Sequence, residues 1–359
     1  MSQEKATLKD IANALGVSTT TIHRALNNKS GVSRAMCLKV QELASDMGYS
    51  VNTAASALKR KTLRIGVVLP EPVMENRFYY SALWTGIRKY MEGNEIFHGH
   101  VTEFYYPLIP GQHGETLKDV YENHLTDIDG LITIGVNRNE SSYFIQKIHG
   151  AGIPVVIVGS DSYPGACLCC VKAYDEMAGS LAAQLITAFL PPEFSGTIIL
   201  TGNPVGEAAM PDQYNNLAGF QEQVAATAPA ISMRSAYCFE ISDLERILPP
   251  LVNADVMPFA MYSSSARHTV QMCKIIRDLG LEGQIRLVGN DKFPESETLL
   301  LKGVLTAVID KKVSYQSFKA AEVLMDYLSK GQYPASSTIY VRPEILMKSN
   351  LAVETGILS

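Results

Sequence analysis

The chain of 359 residues has no run of about 18 uninterrupted apolar residues, so no membrane span is expected. It does not begin with a charged segment followed by an apolar one, which argues against a secretory leader. Its six cysteines (Cys37, Cys167, Cys169, Cys170, Cys238 and Cys273) do not form the framework of a small secreted scaffold. The simple expectation is a reduced, cytoplasmic protein. Only Cys167, Cys169 and Cys170 cluster. CxCC is not a zinc spacing and no histidine is near, so a strand or crossover with small, soft side chains is expected there rather than a metal site. Phosphate cradles and common catalytic signatures are also missing: there is no GxGxxG opening a helix, no GxxxxGK[ST], no GxSxG and no HExxH. No enzyme activity and no cofactor are therefore expected. With 47% hydrophobic and 19% charged residues, the chain has an ordinary soluble composition and enough length for two or three domains.

The most informative segment that is present runs TLKDIANALGVSTTTIHRALN, residues 7–27. Leu8, Ile11, Ala12 and Leu15 recur at helical spacing and predict one buried stripe. Thr7 can cap this helix, with Asp10 in its first turn. Gly16 permits a tight turn, and Ser18 is a good cap for a second helix. In that second helix Ile22, Ala25 and Leu26 face inward, leaving Thr19, Thr20, His23, Arg24 and Asn27 outside. Hydroxyls, a guanidinium and an amide on one short face suit base edges and phosphates. A solvated helical hairpin with no nucleic-acid role is the plainer alternative for this segment alone.

A third helix capped by Ser33 follows, with Val40, Leu43, Ala44 and Met47 inward and Gly48 as its stop. After Asn52 comes TAASALKRK, an alanine-rich run too short for a stable lone helix, which could order on DNA or on a twin copy. Charge is uneven along the chain. Residues 1–62 hold nine Lys/Arg against four Asp/Glu, whereas the whole chain is at −5. A basic head on an acidic body directs nucleic acid to one end.

These residues, with GVSRAMCLKVQELASDMGY, the hinge asparagine, LKRKT and RIGVVLPE, resemble the LacI/GalR family of transcription regulators. The match is specific over residues 7–62 and diffuse over most of the remainder. The resemblance implies a second helix in the major groove and a basic hinge helix in the minor groove. It casts Thr19, Thr20 and Arg24 as base readers. Thr7, Ser18, Thr21, His23, Asn27, Ser33 and Asn52 become further DNA contacts, Leu58 a wedge between base steps, and Lys59 a minor-groove contact. Val51 departs from the proline that often precedes the hinge asparagine.

From residue 63 onwards, apolar strand patterns alternate with amphipathic helices, from RIGVVLP at 64–70 to a final strand near 338–342. Repeated βα units imply parallel sheets covered on both faces. So many units suggest two doubly wound lobes; periodicity alone leaves a barrel or a dehydrogenase open. The expected fold class is α/β: an all-α three-helix helix-turn-helix headpiece (1–50), a hinge helix (51–62), and an effector domain (63–359). The resemblance implies that this last domain is periplasmic-binding-protein-like. Its N-lobe is expected at about 63–170 and 311–336 and its C-lobe at about 171–310 and 337–347, with crossings near 169–174, 308–313 and 334–340.

Ligands of such sheets bind beyond the carboxyl ends of the strands, in the crevice between lobes. Residues just after strands are therefore the candidates: Glu71, Asn76, Phe78, Tyr79, Gly135, Asn137, Ser160, Asp161, Asn203, Asn216, Ser263, Ser264, Ser265, Asn290, Asp291 and Asp310. Each is also an ordinary turn or cap residue. Asp291, in GND after a buried strand, matches the family's effector aspartate, and Phe78-Tyr79 its aromatic pair. Three positions depart from the family pattern. Asn216 stands where an arginine is usual, serine (Ser264, Ser265) where an amide is usual, and Asp310 where a glutamine is frequent. Loss of a guanidinium and gain of a carboxylate argue against a strongly anionic effector and favour a neutral polar one, a sugar or polyol, with a cationic or amine-bearing ligand as the lesser alternative. The expected partners are operator DNA, that effector and a second copy of the chain; the C-terminal LAVETGILS has no leucine heptads, which favours a dimer. A transport solute-binding protein or an α/β enzyme is the rival reading.

Overall fold

The computed structural model describes residues 8–26, 32–47, 62–93, 99–136, 139–159, 167–188, 190–191, 193–203, 211–254 and 257–354. Three helices form the head: α1 (Leu8–Leu15), α2 (Thr19–Leu26) and α3 (Arg34–Asp46). Their core is the expected stripe. Ile11, Ala12, Ile22, Ala25, Cys37, Val40 and Ala44 are buried together. Gly16 adopts φ +66, a left-handed conformation that a residue without Cβ takes at no steric cost. The hinge-helix expectation, residues 51–62, falls almost wholly outside the described residues.

The remainder builds two six-stranded sheets. The first has the order β11-β5-β4-β3-β1-β2: β1 Leu63–Pro70, β2 Gly99–Tyr106, β3 Gly130–Ile134, β4 Val155–Val158, β5 Cys169–Ala173 and β11 Thr338–Val341. All of its pairings are parallel. Helices α4 (Arg77–Gly93), α5 (Gln112–Asn123), α6 (Asn139–Gly150) and α12 (Val313–Lys330) belong to this lobe. The second sheet has the order β12-β10-β9-β8-β6-β7: β6 Gly196–Gly202, β7 Ile231–Tyr237, β8 Ala260–Ser263, β9 Arg286–Asn290, β10 Ala307–Asp310 and β12 Glu344–Leu346. It carries α7 (Asp175–Thr187), α8 (Pro211–Thr227), α9 (Leu244–Val252), α10 (Ala266–Asp278), α11 (Pro294–Leu301) and α13 (Lys348–Glu354). Apolar clusters cover both faces of each sheet, as parallel sheets require.

The lobe boundaries need correction. β5 and β11 pair with each other in the first sheet, so Val171–Ala173 and Thr338–Val341 leave the expected C-lobe. The chain passes between sheets after Ala173, after Asp310 and after Val341. The third passage thus lies beyond the expected 334–340. The short strand that follows it, β12, runs antiparallel to β10, and neither it nor α13 was foreseen. The CxCC cluster becomes strand β5. Cys169 packs on one face of the first sheet and Cys170 on the other, as period-two alternation dictates. The six cysteines form no disulfide with one another.

Candidate functional site: a reading helix and a two-lobed cleft

The headpiece presents α2 as expected. Ser18 Oγ accepts from the Thr21 N–H at 3.1 Å, and Ser33 Oγ caps α3 by accepting from the Met36 N–H at 3.3 Å. Ser18 and Ser33 therefore hold the helix starts. Thr19, Thr20 and Arg24 are exposed, while Thr21 is half-buried with its hydroxyl on Ser18 at 2.9 Å. His23 lies on α2, but its side chain falls outside what the structure describes, as do Thr7, Asn27, Asn52, Leu58 and Lys59 entirely.

In the effector domain, close helix packing places the first cleft residue. A Cβ on Gly179 would lie 1.8 Å from the Asn216 carbonyl oxygen, and one on Gly219 would lie 2.2 Å from that of Glu176. Glycine at both positions lets α7 and α8 touch backbone to backbone. This seats Asn216 in complete burial, where neither its amide nitrogen nor its oxygen finds a hydrogen-bond partner. Such an amide normally costs about 1–3 kcal/mol and calls for an explanation.

Asp291 directly follows β9 in a left-handed conformation, φ +69, held by its N–H on the Ile309 carbonyl at 2.9 Å. It is 3% exposed, and its Oδ1 accepts no hydrogen bond. Burial pushes its carboxyl up to about 6; the Lys311 ammonium opposes that, and Asp310 and Asp175 reinforce it. Behind it, Tyr262 donates to Asn290 Oδ1 at 3.3 Å, and Asn290 Nδ2 donates to the Ser264 carbonyl at 3.1 Å. The Tyr262 ring stacks on Phe220 at 4.8 Å, one helical turn from Asn216.

The other expected ligand groups are placed differently. Ser265 Oγ caps α10 and meets His268 Nδ1 at 2.7 Å; Ser264 Oγ donates to the Thr201 carbonyl at 3.4 Å; Ser263 Oγ donates to the Ser265 carbonyl at 3.0 Å. Their hydroxyls hold the β8–α10 turn. Asp310 Oδ1 accepts from the Lys312 N–H at 2.8 Å, and the residue lines an open groove of about 750 Å³ with Lys312, Tyr315, Val341 and Glu344. Neither Asn216 nor Asp291 lines that groove. Asn203 accepts from Arg267 at 2.7 Å. Phe78 stacks on Phe293 of the other lobe, with centroids 4.9 Å apart, and beside it Arg77 pairs with Glu295 at 2.8 Å. Tyr79 is half-buried, its hydroxyl so near Gly159 that a Cβ there would lie 2.5 Å away. Asn76 is half-buried in the turn after β1, and Asp161 lies outside the described residues.

Sequence reasoning missed Phe293, Lys172, Asp175 and Lys311. The last three form a buried ion cluster with Asp291. The available signal was a lysine inside the otherwise apolar strand CCVKA, three residues before Asp175.

Residues 7–52 match the lacI family of bacterial regulatory proteins, and residues 66–332 match the periplasmic binding protein domain. The chain belongs to the LacI family. Among its curated relatives is the HTH-type transcriptional regulator GntR of Escherichia coli K12, 30% identical over 53% of this chain and 53% of that protein. The chain thus aligns with about half the length of that relative. The ribose operon repressor of Bacillus subtilis is 25% identical over 93% of this chain and 95% of its own. A periplasmic solute-binding protein from Actinobacillus succinogenes, solved with bound D-allose, superposes with TM-score 0.70 at 14% identity, covering 81% of this chain and all of that one. That likeness concerns the fold. A lacI-type head and a periplasmic-binding-protein-type domain thus stand in one chain. Among the described residues no helix is long and apolar enough to cross a membrane.

Proposed function

We infer that this LacI-family chain is a sequence-specific repressor whose operator affinity is set by a neutral polyhydroxylated effector, a sugar or polyol, bound between the lobes. The observation that carries the effector reading is the pair Asn216 and Asp291. Both are buried at the carboxyl edge of the second sheet, and both hold polar atoms without a hydrogen-bond partner. An amide offers a donor and an acceptor, and a carboxylate accepts twice. Adjacent hydroxyls supply the complement. The name of the ribose operon repressor and the D-allose in the structural neighbour point the same way.

On the DNA side, Thr19, Thr20 and Arg24 read base edges from α2, and one headpiece serves each half-site of a near-palindrome. The reading includes a cytoplasmic homodimer. Met74, Tyr105, Leu108 and Ile109 are large apolar side chains exposed on or just after the neighbouring strands β1 and β2, a face that a second copy would cover. Thr7, Asn27, Asn52, Leu58 and Lys59 keep their family roles as DNA contacts within this proposal, and Asp161 its role in the cleft.

The test is an operator selected from a random duplex library, followed by mobility-shift titration with and without D-ribose, D-allose and other sugars and polyols. Arg24→Ala is expected to weaken specific binding by roughly 1–3 kcal/mol. Unchanged operator affinity in that variant would remove Arg24 from the reading face. Failure of every sugar and polyol to alter the shift or the melting temperature would overturn the effector class.

A further inference from the structure

Four charged side chains lie buried in a line between the two lobes. Lys172 on β5 is 6% exposed, Asp175 4%, Lys311 6% and Asp291 3%. Lys172 Nζ is 3.7 Å from Asp175 Oδ2, Lys311 Nζ is 3.7 Å from Asp175 Oδ1, and Lys311 Nζ is 3.9 Å from Asp291 Oδ1. Signs alternate along the line, so the array is neutral. Its members belong to different parts of the fold. Lys172 sits in the first sheet, Asp175 opens α7 just after the first passage between lobes, Lys311 lies within the second passage, and Asp291 directly follows β9 in the second lobe. A third link is close by: the Tyr174 N–H donates to the Val341 carbonyl at 3.2 Å, tying the first passage to the third.

Burying four ions is seldom the most stable use of such space, and similarly shaped apolar side chains often do as well or better. What an ion line adds is geometry that responds to charge. All three separations exceed a hydrogen-bond length, so Lys311 is held between two carboxylates without closing on either. Asp291 is also the residue to which the effector reading assigns ligand hydroxyls.

We propose that Lys311 is a positioning residue that couples Asp291 to the lobe passages. Its ammonium lies between Asp291 and Asp175. A ligand hydroxyl donating to Asp291 Oδ1 competes for that carboxylate. Lys311 then closes on Asp175, and the Lys172–Asp175–Lys311 half of the line tightens across the first two passages. The ligand step rests on the effector reading above; the coupling of the passages through Lys311 stands without it.

Hydrogen exchange on the full-length chain, read by mass spectrometry, tests both parts. Without ligand, Lys311→Met is expected to speed exchange at least tenfold at 174–175 and at 311–313, while amides in β1 and β6 keep their wild-type rates. Lys311→Arg, which retains the charge, is expected to return both passages to within about threefold of wild type. Acceleration confined to 311–313 would overturn the coupling. Equal acceleration in β1 and β6 would reduce Lys311 to a general stabiliser and overturn it too. If Lys311→Met does not fold, the charge-balanced double substitution Asp175→Asn with Lys311→Met carries the same expectation and the same overturning outcomes. D-allose and D-ribose are the ligand probes. Slower exchange at 174–175 in the wild type, absent in Lys311→Arg/Asp291→Asn, is the expected result. If neither sugar slows exchange at 289–292, these two are not its effector, and the ligand-free comparison still decides the coupling.

Discussion

The two lobes share a strand order and differ in how their cleft edges are satisfied. In the first lobe His113 is buried between α5 and α6, with Nδ1 on Ser141 Oγ at 3.0 Å and Nε2 on Thr133 Oγ1 at 2.9 Å. Thr133 in turn donates to the Val68 carbonyl at 2.9 Å. Since that hydroxyl proton is committed, Nε2–H must donate to Thr133 and Nδ1 accepts from Ser141. The network is closed, and it locks the ends of β1 and β3 to two helix starts. The second lobe has its own closed set, with His268 between Ser265 and the Cys238 carbonyl at 3.0 Å. Beside that set, however, Asn216 and Asp291 stay open. Asn216 and Asp291 are the groups to which the proposed function assigns the effector, and the first lobe contributes Phe78, stacked on Phe293, and Tyr79 beside it.

Substitutions can break this contrast. The largest effect is expected from His113→Leu, which strips partners from buried Ser141 and Thr133 and should cost about 3 kcal/mol in urea unfolding. A cost below about 1 kcal/mol would mean the network holds nothing. A second measurement concerns pH. Burial lowers the His113 pKa to about 3, far under its ordinary value near 6.5. The unfolded chain therefore takes up a proton that the folded chain refuses. Stability from this group is complete above pH 6.5 and falls between 6.5 and 3, by up to about 1.4 kcal/mol per pH unit. Replacing His113 with Gln should remove that slope; an unchanged slope in stability against pH would assign it elsewhere.

Asn216→Leu is expected to act with the opposite sign. Its amide has no partner to lose, so the ligand-free protein should gain about 1 kcal/mol in calorimetry while its response to effector disappears. Destabilisation would show that the amide is satisfied after all. The smallest effect belongs to Arg77→Ala. The Arg77–Glu295 pair is 48% and 38% exposed, and a surface pair of this type contributes well under 1 kcal/mol. Salt titration of lobe closure by small-angle scattering should barely distinguish this variant from wild type.

Much of the fold was legible because parallel strands covered on both faces read as short apolar runs, and amphipathic helices separate them. What failed to show was which sheet a strand joins. β11 (Thr338–Val341) carries a mixed pattern, and its place beside β5 is set by a pairing with residues about 170 positions away. The headpiece was legible to single residues because its caps and apolar stripe are local. The cleft was only half legible. Asp291 stood out after a buried strand, whereas the serines 263–265 announced hydroxyl chemistry that the β8–α10 turn uses for itself. Lys172, Asp175 and Lys311 look like surface charges in a one-dimensional string. Their neutralising partners are brought together only by the passages between lobes.

The Phe78–Phe293 stack joins the lobes by direct ring contact. It is therefore a standing bias on the balance between open and closed forms, set before any effector arrives. Effector affinity measured from outside is the intrinsic affinity scaled by the fraction of molecules already competent to bind. A substitution at Phe293 that touches no ligand atom would shift that fraction. It would retune the concentration at which the switch responds and leave the chemistry of recognition as it was. Under the proposed function, sensitivity would then rest on Phe293 and specificity on Asn216 and Asp291.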